Sequence, residues 1–168
     1  MTVPNLLSFA RIPLAVAFLA VQHVPTRVGL VVAASLTDFF DGWFARRGQT
    51  SRLGALLDPI ADKLFIFAAV SAFLLDGALS TRDYFVLLSR DFATAVGFLV
   101  AAVMPSLDPR GFRARWPGKV LTVLQLLALL ALLLEPRLFP PLVPWIALVS
   151  ALAIADYTLA LHRQRART

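Results

Sequence analysis

Residues 38–62 read DFFDGWFARRGQTSRLGALLDPIAD. Asp38 and Asp41 are three apart, and Asp58 and Asp62 are four apart. On a helix either spacing sets both carboxylates on one face, about a turn apart. Hydrophobic sequence precedes the first pair and follows the second, so the pairs read as the end of one helix and the start of the next. The polar segment between them, residues 47–53, is too short to do more than reverse the chain. The two helices are therefore expected to be antiparallel neighbours with their carboxylates gathered at one end.

The rest of the chain has the same character. Of 168 residues 59% are hydrophobic and 15% charged, against about a quarter charged in a soluble domain. Hydrophobic runs of 18 or more residues recur, each enough for a hydrocarbon core of about 30 Å. The expected fold is an all-α integral membrane protein, one domain over residues 1–168. Six transmembrane helices are expected at roughly 6–24, 27–46, 55–75, 82–104, 117–134 and 139–161. Pro13, Pro59 and Pro144 either start or kink helices. The Leu-rich stretch 121–134 reads as lipid-facing. The first span reads as a retained helix, because Ala15 and Ala17 fall too early for a signal cleavage site. No cysteine is present, which excludes disulfides, thiolate metal sites and cysteine nucleophiles.

Six spans put both termini on one side, and the basic residues say which. Arg46, Arg47, Arg52, Arg110, Arg113, Arg115, Lys119, Arg163, Arg165 and Arg167 share one face, against Arg27, Arg82 and Arg137 on the other. Arg11, Lys63 and Arg90 lie inside spans. The positive-inside rule makes the richer face cytoplasmic, with the aspartates just beneath it at the inner membrane surface. The net charge of +6 is explained by this orientation and gives no reason to expect nucleic acid.

Each intramembrane aspartate costs about 2.5–3.5 kcal/mol, and four together repel, so something cationic must hold them. Three readings are open. Salt bridges to Arg46, Arg52 and Lys63 would make the cluster a scaffold. A small membrane cation transporter could use it as a path, although the outer half offers only Asp76, Asp83 and Glu135, all at loop edges. A pair of divalent cations would also balance it, and all-oxygen donors suit Mg²⁺ or Mn²⁺. Gly42, Ala45 and Gly54 leave room for a ligand beside the backbone, which suits this third reading.

The stretch resembles the signature of the CDP-alcohol phosphatidyltransferase family, D-x2-D-G-x2-A-R-x7/8-G-x3-D-x3-D. The fixed positions are Asp38, Asp41, Gly42, Ala45, Arg46, Gly54, Asp58 and Asp62. The opening VPNLLSFARIPLA and the segment GKVLTVLQ at 118–125 resemble the phosphatidylglycerophosphate and cardiolipin synthase branch. The resemblance implies transfer of a phosphatidyl group from CDP-diacylglycerol to an alcohol, with release of CMP. It implies two divalent ions (Mg²⁺ or Mn²⁺) held by Asp38, Asp41, Asp58 and Asp62, with Asp62 also the general base. Arg46 would contact the diphosphate and Gly42, Ala45 and Gly54 the cytidine. A homodimer is implied on the same ground.

The acceptor is expected to be a glycerol-type alcohol, either glycerol 3-phosphate or phosphatidylglycerol. Arg90 and Lys119, with Arg113 and Arg115, are candidates to bind it; topology signalling or anionic lipid is the other reading of the last two. Ser89-Arg90-Asp91 is more like the cardiolipin synthase form than the Arg-Glu typical of phosphatidylglycerophosphate synthases. Membrane prenyltransferases also bind metal diphosphates through aspartates, but such chains are much longer and lack the DG-x2-AR core.

Overall fold

The computed structural model describes residues 3–45, 52–103 and 116–165, with side chains at 9–40, 63–96, 118–156, 158 and 159. Among these residues the fold is built of helices joined by short turns, with no strand. The helices are α1 (Val3–Ala20), α2 (Val24–Ala45), α3 (Arg52–Leu75), α4 (Thr81–Val103), α5 (Trp116–Leu134) and α6 (Leu142–Arg165). A 3₁₀ turn, Pro136–Leu138, precedes α6.

The expected helices are present, and their ends differ for local reasons. Hydropathy carries the first span to residue 24, yet α1 stops at Ala20 and α2 has already begun at Val24. Pro25 is the cause: it lacks an N–H and suits a first helical turn, where none is needed. His23 Nδ1 lies 3.0 Å from Thr26 Oγ1 beside the same turn. Pro144 likewise falls in the first turn of α6, whereas Pro13 sits inside α1 and α3 continues through Pro59.

The chain divides into two compact units, residues 1–80 with 129–136, and residues 81–128 with 137–168. In the first, α1 packs along both α3 and α2, while among the described residues α2 and α3 touch directly at few places. The two motif helices thus share α1 as their common support. Small residues, Ala15, Ala34, Ala68, Ala69 and Ala72, are buried here and allow close approach of the backbones. Phe18 meets Phe65 and Phe73 edge-on, at centroid distances of 6.0 and 5.8 Å. Gly77, at φ +72°, closes α3. Its N–H donates to Leu74 O, and the Ala78 N–H reaches back to Phe73 O. This pair of bonds satisfies carbonyls that a helix end otherwise leaves open.

In the second unit α4 packs against α6. Leu87, Leu88, Leu121, Ala128, Ile146 and Ala153 are buried in it. The stretch 121–134 is not mainly lipid-facing as expected. Leu121, Gln125, Ala128, Leu129 and 131–133 are buried, leaving Val123, Leu127 and Leu134 exposed, because hydropathy alone does not tell a core leucine from a lipid-facing one.

The core is mainly apolar but also takes in charge, and large apolar side chains stand outside it. Arg11, Arg27, Arg90 and Gln125 are buried, while Val16, Phe39, Leu75 and Trp145 are more than 60% exposed. Among the described residues no helix is long and apolar enough to cross a membrane.

Candidate active site

Both aspartate pairs of the signature fall in helices. Asp38, Asp41, Gly42 and Ala45 occupy the last turns of α2, and Gly54, Asp58 and Asp62 the first turns of α3. At about 100° per residue, each pair stays within about 60° around its helix axis. The side chains of Asp41, Asp58 and Asp62 lie outside the described ones, as do Arg46, Arg113 and Arg115 altogether.

Asp38 is described, and its partner is unexpected. Arg11, fully buried in the middle of α1, sets Nη2 3.4 Å from Asp38 Oδ1. Arg11 Nε also donates to Thr37 Oγ1 at 3.3 Å, and that hydroxyl donates to Ala34 O at 2.7 Å. The Asp38 carboxylate remains 59% exposed, so the pair does not enclose it. At that exposure the ion pair itself adds little stability. Its effect is to hold a carboxylate at the α2 end from the neighbouring helix while leaving it accessible. Sequence reasoning counted Arg11 only as a charge within a span. An arginine in apolar sequence needs an acidic partner, and that requirement was the available signal.

Among the described residues no three His, Cys, Asp or Glu side chains come together, and three of the four signature carboxylates lie outside them. The chemistry of the donors nonetheless fits a hard divalent cation. All four are carboxylates, and the one described is open to solvent.

The second unit holds another polar group. Arg90, buried on α4, has Nη1 3.4 Å from Asp91 Oδ1. Gln125 on α5 donates through Nε2 to Asp91 Oδ2 and to Leu87 O, both at 2.7 Å. Thr94 Oγ1 donates to the Asp91 carbonyl at 3.0 Å. Lys119, a turn and a half before Gln125, is exposed. Of the acceptor candidates, then, Arg90 is buried and Lys119 is open. Gln125 ends the segment GKVLTVLQ noted in the sequence, but no role was read for it there, because its partners Leu87 and Asp91 lie on another helix.

A sequence model of the CDP-alcohol phosphatidyltransferase family matches residues 1–155. The chain belongs to that family. It is accordingly a phosphatidyltransferase, an enzyme of phospholipid biosynthesis, and the cation-transport reading of the aspartates is set aside. Similar proteins carry the name CDP-diacylglycerol–glycerol-3-phosphate 3-phosphatidyltransferase. The one from Aquifex aeolicus is 39% identical over 103 residues, which is 58% of this chain and 58% of that protein. The one from Pectobacterium atrosepticum is 34% identical over 146 residues, 80% of this chain and 78% of its own length. The one from Escherichia coli K12 is 32% identical over 151 residues, 82% and 79% respectively.

Proposed function

We propose that this phosphatidyltransferase moves a phosphatidyl group from CDP-diacylglycerol to glycerol 3-phosphate and releases CMP. The carrying observation is that Asp38, Asp41, Gly42 and Ala45 close α2 and Gly54, Asp58 and Asp62 open α3, in a chain matched by the family over residues 1–155. The names of the similar proteins favour glycerol 3-phosphate over phosphatidylglycerol as acceptor.

In this reading Asp38, Asp41, Asp58 and Asp62 hold two divalent cations, Mg²⁺ or Mn²⁺. When bound, the pair supplies charge neutralisation at the diphosphate and orients an in-line displacement. Arg46 pairs with a diphosphate oxygen through its planar guanidinium. Gly42, Ala45 and Gly54 leave backbone space for the cytidine. Asp62 takes the proton from the acceptor hydroxyl as that oxygen attacks phosphorus. Arg11 keeps Asp38 at its post from α1. Arg90 and Lys119, with Arg113 and Arg115, receive the acceptor's phosphate.

The setting is a bilayer, with the chain acting as one domain in the inner membrane, its site facing the cytoplasm and a homodimer as the expected assembly. Helices of 18–24 residues reach about 27–36 Å, the scale of a hydrocarbon core. Large apolar side chains outside and arginines inside fit lipid surroundings better than water. The basic residues gathered on the side of both termini give the orientation. A site at that edge lets diacyl chains stay in lipid while the nucleotide meets the cytosol.

The test is CMP release from CDP-diacylglycerol by purified enzyme, with glycerol 3-phosphate and phosphatidylglycerol offered separately. Turnover is expected with glycerol 3-phosphate, abolished by EDTA and restored by Mg²⁺ or Mn²⁺. Activity with phosphatidylglycerol alone would move the acceptor assignment. Activity that survives chelation would remove the metal reading.

A further inference from the structure

We infer that Gln125 is a positioning residue for the acceptor subsite, holding Asp91 so that Arg90 keeps N–H donors for an incoming phosphate. The inference rests on the reading of Arg90 as an acceptor-binding residue. Its basis is how hydrogen bonds are shared out in the second unit.

Gln125 is buried, and both hydrogens of its amide are used, one on Leu87 O and one on Asp91 Oδ2, each at 2.7 Å. Turning the amide over would aim its oxygen at two acceptors, so chemistry fixes which end is nitrogen. Asp91 is thereby held from α5 through its Oδ2. Its other oxygen stands 3.4 Å from Arg90 Nη1, longer than the roughly 2.7–2.9 Å of a strong charge-assisted bond. The carboxylate thus balances the guanidinium without consuming it. Arg90 Nε is buried and has no hydrogen-bond partner. Such a donor is costly to keep. Arg27 Nη2 is equally unbonded, but that guanidinium has short bonds at its other two nitrogens, whereas among the described residues Arg90 has the 3.4 Å contact to Asp91 alone and so has donors to offer a ligand. A phosphate oxygen is a suitable acceptor, and a guanidinium is suited to phosphate.

A purely structural role for Gln125 would be to tie α4 to α5, as interhelical amide bonds do in apolar surroundings. The Leu87 carbonyl alone would serve that role. The second hydrogen instead goes to the carboxylate next to Arg90.

The experiment compares Gln125→Leu, Arg90→Gln and the double variant of the full-length enzyme. The KM for glycerol 3-phosphate, the KM for CDP-diacylglycerol and the melting temperature are measured for each. Gln125→Leu is expected to raise the glycerol 3-phosphate KM about tenfold and to leave the CDP-diacylglycerol KM within about twofold. Arg90→Gln should raise the former at least as much, and the double variant should be no worse than Arg90→Gln. A glycerol 3-phosphate KM unmoved in Gln125→Leu, or losses that simply multiply in the double variant, overturns the inference and leaves the acceptor reading standing. An Arg90→Gln enzyme with an unchanged KM removes both. Should Gln125→Leu not fold, Gln125→Glu keeps the size and sets a carboxylate against Asp91. The same rise in acceptor KM is then expected, and its absence is equally decisive.

Discussion

Arg27 and Arg90 are both buried arginines near a carboxylate, and they are used in opposite ways. Arg27 Nε donates to Val21 O at 2.6 Å and Nη1 to Asp76 Oδ2 at 2.5 Å. Its guanidinium carbon lies 5.0 Å from the Phe18 ring centre and 5.6 Å from that of Phe73. The ring faces supply electron density to the flat of the guanidinium. Its Nη2 makes no hydrogen bond, but the other two nitrogens are bonded at short distance and the charge is met by Asp76. Arg90 has one long contact to its own sequence neighbour, and Gln125 takes the better share of that neighbour. Burial alone therefore does not distinguish an arginine closely bonded within the fold from one proposed to receive a phosphate. The distribution of donors does.

The comparison can be tested with variants that separate chemistry from stability. The largest effect is expected where only chemistry is touched. Asp62→Asn should lower turnover by about 10²–10⁴-fold while the melting temperature stays close to that of the parent. A normal rate in that variant would show that another group takes the proton. Arg27→Gln is the opposite case. Removing the charge leaves Asp76, only a quarter exposed, without its partner, at about 3 kcal/mol. Thermal unfolding in detergent should show a drop of several degrees, with both substrate KM values unchanged. A shift in KM with no loss of stability would erase the distinction drawn between the two arginines. The smallest effect belongs to the turn next to Asp76. Gly77 is at φ +72° and an added Cβ there would meet nothing within 4 Å, so Gly77→Ala reads backbone strain alone. It should cost about 1–2 kcal/mol in the same melt, less than Arg27→Gln.

The sequence carried the six helices and the signature, because both are periodic features within one stretch of chain. Hydropathy placed every helix to within a few residues; it ran the first span on to residue 24, past the end of α1 at Ala20, and began the second at 27, where α2 starts at Val24. The polar contacts that organise the described structure were not legible. Arg11 meets Asp38 across 27 residues, Arg27 meets Asp76 across 49, and Gln125 meets Asp91 across 34. None of these pairs has a spacing that a helix or turn would impose; each depends on which helices pack together. The same holds for the two compact units, and for α1 as the support common to α2 and α3. Arg11 was half-visible: its location demanded an acid, but nothing in the chain said which one.

The Arg27–Asp76 bridge joins the beginning of α2 to the end of α3. Asp38 lies 11 residues along α2 from it, and Asp62 lies 14 residues back along α3, so the signature is about 16–21 Å away. The direct clasp between the two motif helices thus sits at the end opposite the signature, and near the signature the described tie runs from α1 to α2 through Arg11 and Asp38. Asp38 is positioned by a third helix, and the charge pair that joins α2 to α3 stands well clear of it.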